Sequence, residues 1–173
     1  RKLAVKGRAV AQHHFGHCYR IGKGVAKDSA EAVRWFHLAA SQGYAPAQCE
    51  LGLCYKQGEG VAQDHAKAVH WWRLAADQGF PKAQFNLGIC YYKGDGVVQD
   101  RAEAARWYGL AADQGDAAAQ NNLGICYLDG EGVARDLEQA ALWPKRAAQQ
   151  GHEQAKGNYR EALKAIQARA KDG

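Results

Sequence analysis

His13, His14 and His17 form the densest group of potential metal ligands in the sequence. In a helix, His13 and His17 lie one turn apart and share a face. Two imidazoles in this arrangement can hold a metal ion weakly, whereas a stable zinc site needs three or four ligands. The sequence therefore predicts no metal site and places these histidines in the lining of an exposed groove.

The cysteines are spaced too regularly to form a disulfide framework. Four of them recur at one position of successive repeats, and Cys49 falls outside the period; the four are Cys18, Cys54, Cys90 and Cys126. Equivalent helices of stacked repeats lie about 10 Å apart, whereas the Cα atoms of a disulfide must approach within about 7 Å. We therefore expect free thiols that pack as small hydrophobic side chains, not as ligands or nucleophiles.

Other motifs that carry chemistry are incomplete. Segment 58–64 contains G-x-G but lacks the third glycine and the preceding strand of a dinucleotide site, and loop 129–132 lacks the ligand pattern of an EF-hand. In the sequence HHFGH, His14 stands where the zinc-protease motif has its catalytic glutamate. The sequence predicts a protein that is not an enzyme, with no catalytic residue and no cofactor.

The elements that position these residues repeat every 36 residues. The period is seen at Gly43, Gly79, Gly115 and Gly151, and again at Trp71, Trp107 and Trp143. Self-similarity at such a period is typical of a stacked repeat array. It predicts one continuous domain with a remnant of a preceding repeat at 1–7, repeats at 8–43, 44–79, 80–115 and 116–151, and a C-terminal capping helix at 152–173.

Each repeat contains two helical patterns around a glycine-rich hinge. In the second repeat, a helix A over 45–57 is followed by the hinge, an N-capping Asp64 and a helix B that ends at Gly79. Gly52 in helix A suggests close approach of a bulky side chain such as Trp71, and the recurring tryptophans are expected in the core. Pro144 predicts a kink in the fourth helix B.

Charge and hydropathy exclude several classes of partner. The net charge is +5, and the 23 Lys and Arg residues are scattered among 18 Asp and Glu residues, so no basic run points to nucleic acid or a membrane surface. No apolar run reaches the roughly 20 residues of a membrane span. We expect a soluble protein, cytoplasmic or periplasmic/secreted, that is monomeric; the compartment stays open because the sequence begins within a repeat.

The repeat pattern resembles the Sel-1-like repeat, a relative of the tetratricopeptide repeat. The residues that carry the resemblance in the second repeat are Ala47, Gln48, Leu51, Gly52, Tyr55, Gly58, Gly60, Val61, Asp64, Ala68, Trp71, Ala75, Ala76 and Gly79. The resemblance implies an all-α, right-handed superhelix (solenoid) of antiparallel helix pairs. It also implies that helix A lines a concave surface and that the protein acts as an adaptor in protein complexes.

Positions that vary between repeats indicate the binding surface. By the same resemblance they face a concave groove for a protein or peptide partner, and they comprise His13, His14, His17, Arg20, Cys49, Glu50, Leu53, Lys56, Phe85, Asn86, Ile89, Tyr92, Asn121, Asn122, Ile125 and Leu128. We expect an acidic residue of the partner to face Arg20. We also expect binding to strengthen as the histidines gain charge between neutral pH and pH 6.

Two alternative functions come from other classes. An RNA-binding helical repeat would need a basic groove with polar readers, which Leu53, Ile89 and Ile125 do not supply. The resemblance also implies a second alternative, a β-lactam-binding or -hydrolysing enzyme, because a cysteine-rich branch of the family is linked to that activity. That branch joins its helix pairs by disulfides, whereas Ala39 and Ala75 occupy the ends of helix B here.

Overall fold

The computed structural model describes the backbone of residues 2–172 and the side chains of residues 7–171. Over this range the regular secondary structure is entirely α-helical, which confirms the predicted fold class. The helices are α1 (Lys2–Ile21), α2 (Ser29–Ala40), α3 (Ala45–Gln57), α4 (His65–Ala76), α5 (Pro81–Lys93), α6 (Arg101–Asp113), α7 (Ala117–Asp129), α8 (Leu137–Gln149) and α9 (Glu153–Asp172). Helices α1, α3, α5 and α7 are the A helices, and α2, α4, α6 and α8 are the B helices. Residues 2–7, predicted as the end of a preceding repeat, are continuous with α1.

Local signals set the ends of the B helices. The Asp64 side chain accepts a hydrogen bond from the Lys67 backbone N–H at the start of α4, and Asp28, Asp100 and Asp136 cap α2, α6 and α8 in the same way. At the other side of the hinge, Gly58 ends α3 with a φ of 71°, which suits glycine because it has no Cβ. The predicted hinge and N-caps are confirmed.

The chain packs as two compact units, each with its own core. The first contains Arg1–Ala83 with Asp95–Val97, and the second contains Gln84–Gly94 with Val98–Gly173. Phe36 and Leu51 are fully buried in the first core. In the second core, Tyr108 and Leu123 pack with Trp143. The framework residues of the repeats therefore form apolar layers between consecutive helices.

In each repeat, a glycine of helix A lies under a ring of helix B. The pairs are Gly16 with Phe36, Gly52 with Trp72, Gly88 with Tyr108 and Gly124 with Pro144. A Cβ at any of these glycines would overlap the ring. The prediction that Trp71 approaches Gly52 is wrong: the ring is that of Trp72, whose indole N–H donates to the Cys49 carbonyl oxygen at 3.1 Å.

The recurring tryptophans differ in burial. Trp107 and Trp143 are buried as predicted. Trp71 is only half-buried and packs edge-on against the rings of His37 and His70, so its expected place in the core is wrong. The residue buried in that helix is Trp72, of which 1% is exposed.

Pro144 takes the place of the aromatic ring in the fourth repeat. Helix α8 continues through it to Gln149, and its ring packs on Gly124. The missing N–H thus does not end the helix, while the kink stays a prediction.

Buried glutamines connect the two helices of a repeat. In the second repeat, Gln78 donates to the Gln48 side-chain oxygen at 2.7 Å, and Gln48 donates to the Ala40 carbonyl oxygen at 3.2 Å. In the fourth repeat, Gln150 and Gln120 form the same bond at 2.9 Å. Because Ala40 belongs to the first repeat, one amide satisfies polar groups of two consecutive repeats.

Helix α9 packs on α8. Ala162 is buried against Ala140 and Ala141, with Tyr159 and Ile166 at the edges of the contact. Its outward positions are mostly charged or polar. The predicted long C-terminal helix is confirmed, with bounds Glu153–Asp172.

The glycine and ring contact leads to a stability prediction. In Gly88→Ala, the new Cβ would lie 2.6 Å from two ring carbons of Tyr108, and we expect the free energy of unfolding to fall by about 1–3 kcal/mol through overpacking. The matched control is Gly109→Ala, because Gly109 also lies inside a helix but has no atom near its Cβ position. There alanine should stabilise by about 1 kcal/mol. Urea unfolding of both variants measures the difference, and equal effects would contradict the contact.

A second prediction separates the two adjacent tryptophans. Trp72→Ala removes a buried ring, so we expect a loss of about 3–5 kcal/mol in the free energy of unfolding. Trp71→Ala should lower the free energy of unfolding by less, because the half-buried Trp71 side chain removes less apolar surface from water. The same denaturation experiment tests both, and a Trp71→Ala loss equal to or larger than that of Trp72→Ala would refute the assignment.

Candidate binding surface

In the first unit, three residues predicted to line the groove lie close together: His13 and His17 of α1 and Glu50 of α3. The Nε2 atoms of His13 and His17 lie 3.1 Å apart, and Glu50 Oε1 lies 3.7 Å from His17 Nε2. His14 is exposed and is not among the ligand atoms that cluster here. His13, His17 and Glu50 therefore form a compact cluster that the sequence had treated as separate groove positions.

Arg20 completes the cluster from the same helix. Its guanidinium bonds Glu50 Oε2 at 2.5 Å and His17 Nδ1 at 2.9 Å. The pair is partly shielded from water, since 22% of the Arg20 side chain and 23% of the Glu50 side chain are exposed. The acidic group that faces Arg20 is thus a residue of the chain itself, and not the expected residue of a partner.

Burial opposes charge on the histidines. It lowers the pKa of His13 to about 4, helped by the nearby His17, and burial also lowers the pKa of His17 despite the Glu50 carboxylate. The His13 ring therefore stays neutral between pH 7 and pH 6, so the expected gain of charge over this range is wrong for His13. For His17, burial opposes that gain.

The remaining predicted positions of α3 differ in access. Cys49 is buried, so it is not a groove residue as predicted. Leu53 and Lys56 are half-buried, and Lys56 Nζ lies 5.7 Å from the centre of the Trp72 ring. Leu53, Lys56 and the exposed His14 are the predicted positions of the first unit that stay accessible outside the cluster.

In the second unit, helices α5, α6 and α7 enclose a pocket of about 300 Å³. Four predicted residues line it: Ile89, Tyr92, Asn122 and Ile125. Lys93, Tyr108 and Cys126 complete the lining and were not predicted. Phe85 lies beside it, with its ring centre 6.0 Å from that of Tyr108, and Asn86 is half-buried on the same helix.

Two predicted groove residues of α7 pack near the C-terminal helix α9. Asn158 donates to Asn121 Oδ1 at 2.7 Å, and only 4% of Asn121 is exposed. Leu128 packs in the cluster that includes Tyr159 and Ile166. The assignment of Asn121 to an open groove is wrong because α9 covers it, whereas Leu128 is half-buried and its place in the groove stays a prediction.

A hinge residue organises the edge of the pocket. Tyr92 donates its hydroxyl to Glu131 Oε2 at 2.8 Å, and Arg101 reaches the same oxygen at 2.7 Å. The Arg101 guanidinium carbon lies 3.8 Å from the centre of the Tyr92 ring. This bond to Glu131 raises the pKa of Tyr92. The repeat pattern contained a signal for Glu131, because Glu59 occupies the equivalent hinge position. Glu59 accepts a hydrogen bond from Ser29, the first residue of the preceding helix B.

Over residues 2–172, no helix has both the length and the apolar character needed to cross a membrane.

Comparison with known families assigns these repeats. The Sel1 repeat model matches residues 9–44, 45–80, 81–116 and 117–152. The chain belongs to the Sel1 repeat family. This confirms the resemblance, and the family's repeats account for the alternation of A and B helices around glycine hinges.

Solved structures of Sel1 repeat proteins are similar to the chain. One is a protective antigen present in uropathogenic Escherichia coli strains, which displays an SLR fold. Its sequence is 44% identical and its TM-score is 0.84, and the match covers 90% of this chain and 34% of the antigen chain. Another is a Sel1 repeat protein from Oxalobacter formigenes, which is 36% identical with a TM-score of 0.83. This match covers 89% of this chain and 63% of the Oxalobacter chain. The chain thus spans about a third of the first relative and less than two thirds of the second. Among curated proteins, none matches.

All five cysteines lie within the described residues, and none of them forms a disulfide there, as predicted. Burial raises the pKa of Cys54 and of Cys126 to about 11. Buried neutral thiols with such pKa values are poor nucleophiles and poor metal ligands. The Sel1 repeats of this chain are thus held together without disulfides among these residues.

Thiol labelling checks this interpretation. At pH 8 we expect Cys18, the half-buried thiol, to react with a disulfide reagent first, and the buried thiols to react only as the helices open. Cys18→Ser should therefore abolish the fast phase of labelling. A fast phase that persists in this variant would show that a repeat thiol is accessible in the folded protein.

Proposed function

We propose that the chain is a binding module without catalytic activity, and that it takes a protein or peptide partner on the variable positions of its A helices. The observation that carries the proposal is the pocket of the second unit. It has an apolar floor, a polar edge and a volume of about 300 Å³. This is the lower end of the range for ligand sites, and it suits one large side chain better than a cofactor.

The floor favours an apolar anchor. Ile89 and Ile125 are half-buried, so their remaining surface is available to a partner. Covering them with a leucine or phenylalanine side chain would contribute on the order of 1.5–3 kcal/mol. Such buried anchors carry most of the energy in many interfaces.

The polar edge of the pocket favours an acidic residue beside the apolar anchor of the partner. Lys93 is exposed at the edge, and Asn122, which bonds the buried Tyr108 hydroxyl, adds an amide. Arg101 is already neutralised by Glu131 at 2.7 Å, which leaves Lys93 as the cation of the lining. The partner segment we propose therefore presents a large apolar side chain with an Asp or Glu beside it.

Exposed residues of the first unit extend the proposal. His14, Leu53 and Lys56 would contact other parts of a partner. RNA binding and β-lactam hydrolysis gain no support from the described residues, since the pocket lining is mainly apolar and these cysteines form no disulfides. The family assignment agrees with a scaffold of repeats but does not identify the partner.

Selection from a random peptide library with the whole chain, followed by calorimetry, tests the proposal. We expect selected peptides to combine an aromatic or aliphatic anchor with an adjacent acid. Ile125→Ala should raise the Kd about tenfold, a loss of about 1.4 kcal/mol, and Lys93→Glu should weaken acidic peptides specifically.

The matched control is Lys145→Ala. Lys145 is exposed on α8 and does not line the pocket, so its removal should leave the Kd unchanged. Arg101 is unsuitable as a control because it stacks on Tyr92. Equal Kd values for Ile125→Ala, Lys93→Glu and Lys145→Ala would place peptide binding elsewhere and refute the proposed site.

A further inference from the structure

We propose that His13, His17 and Glu50 form a site for a divalent transition-metal ion, with Zn²⁺ as the ion that suits the ligands best. The sequence predicted no such site because only two ligands were recognisable on one helix. Packing of α3 against α1 supplies the third ligand. One ligand atom from each residue lies within 4.8 Å of the others.

The separations approach those of a tetrahedral site. With metal-ligand bonds of about 2.0–2.2 Å, tetrahedral ligand atoms lie about 3.4 Å apart. The measured separations are 3.1 Å for His13 Nε2 to His17 Nε2 and 3.7 Å for His17 Nε2 to Glu50 Oε1. Small side-chain rotations that move Glu50 Oε1 toward His13 would bring three ligands around one ion. Two histidines and one carboxylate are an established ligand set for zinc.

Aromatic neighbours hold the imidazoles in place. The His13 ring lies 5.3 Å from the Tyr44 ring and 5.8 Å from the Phe36 ring, and the His17 ring lies 5.3 Å from the Phe36 ring. Phe36 is fully buried. The two rings are thus orientated by the core of the repeat, which lowers the cost of ordering them when an ion binds.

Arg20 determines the histidine tautomers of the metal-free state. A guanidinium can only donate, so His17 Nδ1 accepts its bond and His17 carries its proton on Nε2. That N–H donates to His13 Nε2 at 3.1 Å, so His13 carries its proton on Nδ1. His13 therefore already presents a lone pair toward the cluster.

Metal binding at His17 requires a tautomer change. The proton leaves Nε2, and Nδ1 takes up one in its place, so the ring stays neutral and no net proton is released. The new Nδ1–H then faces the Arg20 N–H groups, and the ion repels the guanidinium. Arg20 must turn away, which also frees the second oxygen of Glu50. In the metal-free state Arg20 thus supplies the positive charge that the ion would bring.

The protein offers three ligands and leaves the fourth position to water or to a partner. His14 does not supply it, because it is exposed and its ring centre lies 5.8 Å from that of His13. Three protein ligands with an open position are typical of zinc sites that bind a further molecule. The site is independent of the pocket proposed above.

Calorimetry with Zn²⁺ and the full, untagged chain tests the site. We expect one strong site, a Kd raised at least tenfold in His17→Ala and in Glu50→Gln, and an unchanged Kd in His14→Ala. Arg20→Met should lower the Kd, a result that adventitious binding to surface histidines does not produce. Circular dichroism identifies folded variants, and Glu50→Gln keeps the shape of the side chain.

Ring ¹H–¹⁵N spectra give a second readout. On addition of Zn²⁺, the His17 proton should move from Nε2 to Nδ1 while His14 stays unchanged. The proposal is overturned if His17→Ala and Glu50→Gln both retain the wild-type Kd, or if neither the wild type nor Arg20→Met binds Zn²⁺.

Discussion

Consecutive repeats meet where a glycine Cα touches another backbone. The second glycine of each later hinge lies against the first turn of the preceding helix B: Gly60 on Ser29, Gly96 on His65 and Gly132 on Arg101. A Cβ would overlap the facing carbonyl, and φ values of 71° to 75° add a second reason for glycine. Within each unit, backbone lies against backbone at these contacts, so the glycine approach fixes the spacing of the packed segments with little freedom to adjust.

This fixed spacing explains why many positions are the same in each repeat of the chain. Helix A must bring a glycine under the ring of helix B, and the buried glutamine must reach a carbonyl of the preceding repeat, as Gln120 reaches Ala112 at 3.1 Å. An unpaired buried amide costs about 1–3 kcal/mol, so few residues can replace it. Variation is left to side chains that neither the stacking nor the hydrogen bonds require.

The sequence predicted what local signals encode. The repeat period, the helix limits and the caps such as Asp64 depend on residues a few positions apart, and the structure confirms them. Contacts between distant segments were not predictable in this way. The choice of Trp72 over Trp71 depends on the rotation of α4 against Gly52, and the loss of Asn121 from the surface depends on the path of α9, where the repeat pattern ends. The third ligand, Glu50, likewise meets His17 only through helix packing.

The same framework positions carry different chemistry in the two units. Two repeats after His17, Arg20 and Glu50, the sequence has Ile89, Tyr92 and Asn122, which line the pocket of the second unit. In the first unit, the corresponding positions hold the ion pair of Arg20 with Glu50 and the imidazole of His17. Since the backbone step is set by the glycine contacts, a change of side chain at these positions alters the chemistry of the surface without altering the stacking. A repeat array can in this way carry an apolar site and a polar site on equivalent scaffolds, and each can change independently of the other.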